Sequence, residues 1–218
     1  MLLSEWVDYD TTPYFLRDDN VPYSLPIVVR VEKNVNYSEL DAFKAVSQLM
    51  AKVLEKNEWE ENIKLWLKGC IRKVVRKARG VNWDNLYSLP HVSFQENNVE
   101  VLAFEPHLLD ELNPLLKKLQ VQGIDLTHSI PELSLTHGLN ISLNPEVVMS
   151  TGKAMAQIGH AAQLAYMYSS PEVLNKWENS RVVNFVHWDC MPENSTFIED
   201  AGFTEIVAGT LTAKSFIV

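Results

Sequence analysis

Residues 149–162 read MSTGKAMAQIGHAA, and this stretch decides how the rest of the chain is interpreted. The run of small residues predicts a helix from Gly152 to about residue 168, closely packed against a sheet. Lys153, Gln157 and His160 then share one face, because residues three and four apart are neighbours on a helix. The spacing alone leaves two interpretations open: a polar site on a buried helix, or a surface helix with scattered polar residues.

The segments around this helix alternate between predicted strands and helices. Ser38 is a plausible N-cap for a second helix that ends near residue 56. The predicted strands, rich in β-branched residues, are residues 27–31, 92–94, 99–104, 139–143, 182–186 and 210–218. We therefore expect an α/β protein with a mixed β-sheet flanked by helices. Its predicted parts are an irregular tail (1–22), an N-terminal α/β lobe (23–122), a linker (123–137) and a C-terminal lobe (138–218), and no internal repeat is visible in the sequence.

The charge of the chain is unevenly distributed. The 218 residues carry a formal charge of −9, yet residues 62–83 contain seven basic residues and no acidic one. Apolar residues from Ile63 to Ala78 recur at helical spacing, which predicts a single basic amphipathic helix there. This helix either contacts phosphates of a nucleic acid or is a solvated charged face. The candidate phosphate-binding residues are Lys64, Lys68, Arg72, Lys73, Arg76, Lys77 and Arg79.

Several functional classes are disfavoured by what the sequence contains. Two cysteines, Cys70 and Cys190, are too few for a disulfide scaffold and favour a reducing compartment. No basic segment precedes an apolar one near Met1, and the longest uncharged run is too polar to span a bilayer, so we expect a cytoplasmic protein without a membrane segment. The histidines lack metal-ligand spacing, and Val147 stands where a phosphate-binding P-loop needs glycine.

Two blocks of the chain resemble the second peptidyl-tRNA hydrolase family, the archaeal and eukaryotic type. Residues 149–161 follow its helix-one pattern M-x-x-G-K-x-x-A-Q-x-x-H-A, and residues 198–206, IEDAGFTEI, resemble its D-A-G-R-T-Q-I turn. The resemblance covers about residues 138–218, and longer bacterial members with an N-terminal extension are similar in arrangement. Two positions differ: Phe203 stands where the family has Arg, and Glu205 where it has Gln.

The resemblance implies hydrolysis of the ester between a peptide and tRNA, with peptidyl-tRNA as the partner and neither metal nor organic cofactor required. By motif, Lys153, Asp200 and Thr204 would be catalytic, with Gln157 and His160 beside them for substrate binding. Asp200 would order or deprotonate water, Lys153 would stabilise an oxyanion or hold a phosphate, and Thr204 would orient water or substrate. His160 could equally be a packed core histidine. A degenerate, non-catalytic RNA-binding or protein-interaction module on the same fold is the alternative, and a homodimer is an open possibility.

Overall fold

The computed structural model describes residues 17, 20, 22–124, 126–127 and 134–218. Within these residues the protein is a mixed α/β structure with two mixed sheets and six α-helices. Nearly all of the predicted tail, and residues 125 and 128–133 of the predicted linker, lie outside the described residues. None of the described helices combines the length and the apolar character that crossing a bilayer requires.

The N-terminal lobe contains the first sheet and four helices. Its strands are β1 (Tyr23–Arg30), β2 (Arg72–Ala78), β3 (Val92–Glu96), β4 (Val99–Ala103) and β5 (His107–Leu108). Its helices are α1 (Glu39–Leu54), α2 (Glu60–Lys68), α3 (Gly80–Tyr87) and α4 (Pro114–Lys117). The main strand order is β2-β1-β4-β3, where β1 and β2 are parallel and the other neighbours antiparallel, and β5 pairs with the start of β1.

The C-terminal lobe repeats this topology. Its strands are β6 (Leu139–Leu143), β7 (Val183–Phe185), β8 (Thr196–Glu199) and β9 (Leu211–Ile217), and its helices are α5 (Thr151–Tyr168) and α6 (Pro171–Ser180). The order β7-β6-β9-β8 again has a parallel pair at one edge and antiparallel pairs elsewhere. Each lobe is therefore a strand, a helix, a parallel edge strand and an antiparallel hairpin, a repeat that the sequence does not reveal.

The two lobes share one hydrophobic core. Helices α1 and α5 pack against each other, while α5 contacts β2 of the other lobe and α1 contacts β7. The rings of Phe43 on α1 and Phe185 on β7 lie 5.7 Å apart between centroids. Glu39 and Thr151, the first residues of α1 and α5, are joined by a 2.9 Å hydrogen bond from the threonine hydroxyl. Contacts between the lobes are thus reciprocal, and they place the edge strand β2 beside α5.

The prediction of a single basic helix over residues 62–79 is wrong. Helix α2 ends at Lys68, and after Gly69 and Cys70 the chain continues as the strand β2. The physical reason is a two-residue period: Ile71, Lys73 and Val75 are all buried, as on one face of a strand, and β2 contacts α5. Ile71 and Val75 are β-branched, which favours a strand over a helix. The seven basic residues therefore do not form one continuous stripe, because those on β2 alternate between the two faces of the sheet.

Both central helices begin at a serine N-cap, which for α1 is the predicted Ser38. The Ser38 hydroxyl accepts the Asp41 N–H at 3.2 Å, and the Ser150 hydroxyl accepts the Lys153 N–H at 3.4 Å. Such caps satisfy backbone donors that have no partner inside the helix. The start of α5 is thereby fixed, and with it the direction in which the polar residues of its first turns point.

Candidate active site

A cleft of about 470 Å³ opens between β2 of the N-terminal lobe and the first half of α5. Its volume lies in the range typical of small-molecule sites. The predicted site residues that line it are Lys153, Gln157, His160, Asp200 and Thr204 from the C-terminal lobe, and Arg72 and Lys73 from the N-terminal lobe. The cleft therefore needs both lobes, because β2 and α5, which form its walls, belong to different lobes.

Asp200 is the centre of a buried polar network at the base of the cleft. It is 2 % exposed, and its Oδ2 lies 2.5 Å from Lys153 Nζ and accepts a 2.6 Å hydrogen bond from Gln157 Nε2. Its Oδ1 accepts the Gly202 N–H at 2.8 Å. The Thr212 hydroxyl donates to Gln157 Oε1 at 2.8 Å, which fixes the orientation of the amide. A buried ion pair held by such additional hydrogen bonds has a defined geometry.

This network retains hydrogen-bonding capacity for a ligand. A carboxylate offers about four acceptor positions, and the three donors above leave room on Asp200 Oδ1 for one more. The Lys153 ammonium has three donors, of which Asp200 takes one. The pair can therefore accept a hydrogen bond from a water molecule and donate one to an adjacent oxygen of a substrate.

Lys73 and His160 form a second buried cluster in the same cleft. Lys73 Nζ lies 2.9 Å from His160 Nδ1, donates to Gln163 Oε1 at 2.5 Å and lies 4.8 Å from the centre of the Trp66 ring. Burial lowers the pKa of the Lys73 amine well below its ordinary value. Burial, with the charges of Lys73 and Lys153, lowers the pKa of His160 in the same way. The cluster therefore favours uncharged side chains.

Gly159 allows the Lys73 side chain to cross α5. A Cβ at this position would lie 3.1 Å from Lys73 Cδ, closer than most real contacts of this kind. The absence of a side chain at Gly159 thus lets an amine from β2 reach the polar face of a helix in the other lobe.

Arg72 places a positive charge next to Phe203. Phe203 stands at the position where the family that these sequence blocks resemble has Arg. The Arg72 guanidinium carbon lies 3.9 Å from the centre of the Phe203 ring, a cation–π contact between the two lobes. Glu205, the second departure, accepts the Ser150 N–H at 2.8 Å. Its carboxylate therefore lies at the N-terminus of α5, where it complements the positive end of the helix dipole.

Thr204, the third residue predicted to be catalytic, lies outside the hydrogen bonds that hold Asp200. It lines the cleft and is exposed. Within the described part of the chain, no hydrogen bond joins it to Lys153 or Asp200, and Thr212 is the threonine that enters their network.

Five of the seven basic residues predicted to contact phosphates do not line the cleft: Lys64, Lys68, Arg76, Lys77 and Arg79. Lys64 forms an ion pair with Glu60, and Lys77 donates to the Gly123 carbonyl. Arg76 is half-buried, and this burial lowers the pKa of its guanidinium. Only Arg72 and Lys73 reach the cleft, and they do so from a strand.

Sequence reasoning missed three contributors to the two clusters: Thr212, Gln163 and Trp66. Gln163 follows His160 by three residues, so the helical spacing could have included it. Thr212 and Trp66 belong to distant elements, and no local pattern links them to α5.

Comparison of the chain with protein-family models, with curated proteins and with solved structures finds no match. Among the described residues, no group of three or more His, Cys, Asp or Glu side chains is arranged to hold a metal ion. The geometry of the cleft and the sequence blocks that line it are therefore the features that bear on function.

Proposed function

We propose that this chain is a peptidyl-tRNA hydrolase, which cleaves the ester between a peptide and the ribose of tRNA. The observation that carries the proposal is the buried network of Lys153, Gln157 and Asp200 at the base of an open cleft. These three residues belong to the two sequence blocks that resemble the family, and the blocks are separated by about forty residues in the chain. Their convergence supports a common role.

Ester hydrolysis requires three things that this network can supply. A water bound at the remaining acceptor position of Asp200 attacks the carbonyl carbon while its proton passes to the carboxylate. Lys153 donates a hydrogen bond to the carbonyl oxygen as that oxygen becomes negative in the tetrahedral intermediate. The bond to the ribose oxygen then breaks, and Asp200 returns the proton to the departing hydroxyl. Gln157 holds the carboxylate in place throughout.

The Lys73–His160 cluster beside this network disfavours additional positive charge in the cleft. Because burial lowers the pKa values of both Lys73 and His160, Lys153 is the cation closest to Asp200 on the helix face. Arg72 adds a second positive charge towards the cleft mouth. This arrangement suits a substrate with a neutral ester next to an anionic phosphate backbone, and we assign the activity to the cytoplasm, where translation takes place.

The direct test is release of the peptide from a tRNA that carries an N-blocked aminoacyl ester. We expect Asp200→Asn to lower kcat/KM by about 10²-fold or more, the effect typical of removing a group that transfers protons. Asp189→Asn is the matched control, because Asp189 is exposed and distant from the cleft. For Lys153→Met, which should also lose activity, Lys176→Met on the surface of α6 is the corresponding control.

The outcomes separate the proposal from its alternative. Equal rates for the wild type and Asp200→Asn, with both folded by circular dichroism, would contradict the role of Asp200. Salt-dependent tRNA binding without peptide release by the wild type would instead indicate a non-catalytic RNA-binding module on this fold.

A further inference from the structure

Phe203 presents an aromatic surface at the mouth of the cleft. Its side chain is 45 % exposed although the residue lines the cleft, and the Arg72 guanidinium packs on its ring. The contact joins the loop after β8 to β2 of the other lobe, so the ring is held from two sides of the cleft. A fixed, partly exposed ring beside a cation is an arrangement on which nucleobases stack in proteins that bind single-stranded nucleic acids.

The position of Phe203 relative to Asp200 matches the dimensions of a nucleoside. Phe203 follows Asp200 by three positions, so the Cα atoms of the two residues lie at most about 10 Å apart. In a peptidyl-tRNA the scissile ester is on the ribose of the terminal adenosine, so its base lies within a similar distance of the reacting carbonyl. With the ester at Lys153 and Asp200, the base can reach Phe203.

We propose that Phe203 and Arg72 form a binding subsite for the 3′-terminal nucleobase of an RNA, with the base stacked on Phe203 and Arg72 near the adjoining phosphate. The subsite rests on the proposed function for its biological substrate, but it binds RNA ends without any chemical step. Arg72 has two roles in it, because it supports the ring through the cation–π contact and supplies charge for the backbone.

A nucleobase fits this surface better than an apolar amino-acid side chain does. Apolar side chains gain most from enclosure, whereas nearly half of the Phe203 surface stays open to solvent. A stacked base covers a flat ring without enclosure, and its phosphate benefits from a neighbouring guanidinium. Apolar residues such as Val74, Val121 and Ala156 also line the cleft and offer contacts for the peptide end of the substrate.

The test uses the RNA trinucleotide CCA with a free 3′ hydroxyl and a 5′ fluorescent label, which cannot be hydrolysed. Fluorescence anisotropy measures its binding to the wild type, to Phe203→Ala and to Phe203→Tyr. We expect Phe203→Ala to weaken binding by about 5- to 150-fold, the range for loss of one base–aromatic stack, and Phe203→Tyr to bind like the wild type. Val207→Ala is the matched control, because Val207 is 78 % exposed in the same loop and does not line the cleft.

A second ligand assigns the effect to the base. A trinucleotide with an abasic ribose at its 3′ end should bind the wild type as weakly as CCA binds Phe203→Ala, and the substitution should then have no further effect. Equal affinity of CCA for the wild type and Phe203→Ala, or no binding of CCA to the wild type at low salt, would overturn the subsite. A different result would contradict the hydrolase function and leave the subsite intact: the wild type releases no peptide, while CCA binding still depends on Phe203.

Discussion

Replacing Lys73 by Met tests whether a lysine in the core of this protein is unprotonated. Lys73 is 8 % exposed, and burial lowers its pKa well below the ordinary value of 10.5. At neutral pH the unfolded chain therefore binds more protons than the folded chain at this position. Stability must then rise with pH until the unfolded amine also loses its proton near pH 10.5, and must fall as the pH is lowered.

The size of the effect follows from the proton difference. One proton changes the free energy of unfolding by about 1.4 kcal/mol per pH unit. Between about pH 7.5 and 9.5 the wild type should gain up to about 2.7 kcal/mol that Lys73→Met does not gain. Two other buried groups of the folded protein titrate outside this pH range, because the pKa of His160 is lowered from 6.5 and that of Tyr166 is raised from 10.0.

Urea unfolding followed by tryptophan fluorescence at several pH values measures this slope. Lys68→Met is the matched control, since Lys68 is an exposed lysine at the end of α2, and its slope should equal that of the wild type. The hydrogen bonds lost to Gln163 and His160 lower stability at every pH in the window and cannot mimic a change of slope. Parallel lines for the wild type and Lys73→Met would refute the conclusion that the buried amine is neutral.

Three further predictions concern the helix start, a strained glycine and the RNA contact. Ser150→Ala should lower the free energy of unfolding by about 1 kcal/mol in urea, because it removes the N-cap of α5, and an unchanged value would contradict the cap. Gly138→Ala should cost more than about 1 kcal/mol and lower Tm, since φ is +116° and a Cβ would lie 2.6 Å from the Val182 carbonyl oxygen. Arg72→Gln should reduce the salt slope of tRNA binding by up to about one unit, whereas half-buried Arg76→Gln should not; the same slope in both variants would remove Arg72 from the interface.

Local patterns predicted most elements of the fold. The strand at residues 139–143 and the helix ending at residue 168 have the predicted bounds, because a Ser cap and a clear change of periodicity mark them. The helix over residues 62–79 failed because the real helix α2 has the same apolar spacing, which continues by coincidence into β2. Gly69 and the β-branched residues after it were the available signals that the helix ends.

The candidate site was predictable only on one side of the cleft. Lys153 and Gln157 follow from helical spacing, and Asp200 was reached through the sequence block after β8. Lys73 meets His160 across 87 positions of sequence, and such a contact depends on how two lobes pack. The role of Arg72 in binding RNA stays a prediction; the structure places Arg72 on a strand that lines the cleft, and the helix that suggested the role is absent.

The repeated topology places an equivalent of the Lys153–Asp200 contact in the N-terminal lobe. Asp41 is the third residue after the N-cap of α1, as Lys153 is after that of α5, and Asn97 follows β3 as Asp200 follows β8. Asn97 Nδ2 donates to Asp41 Oδ1 at 3.0 Å, so the contact itself is present. Its chemistry is different, because an amide and a carboxylate provide no cation to stabilise an oxyanion.

The buried cluster of Lys73 and His160 also has an equivalent in the N-terminal lobe, and its chemistry differs there too. Gln48 is the tenth residue after its N-cap, as His160 is, and it donates to the carbonyl of Arg181, just before β7. In the C-terminal lobe the corresponding contact is between His160 and the Lys73 amine of β2. Both lobes thus keep the same frame, and of these equivalent contacts only the one in the C-terminal lobe pairs a carboxylate with a cation. Because β2 lines the cleft beside α5, the N-terminal lobe contributes to it as a partner within the chain, through Arg72 and Lys73.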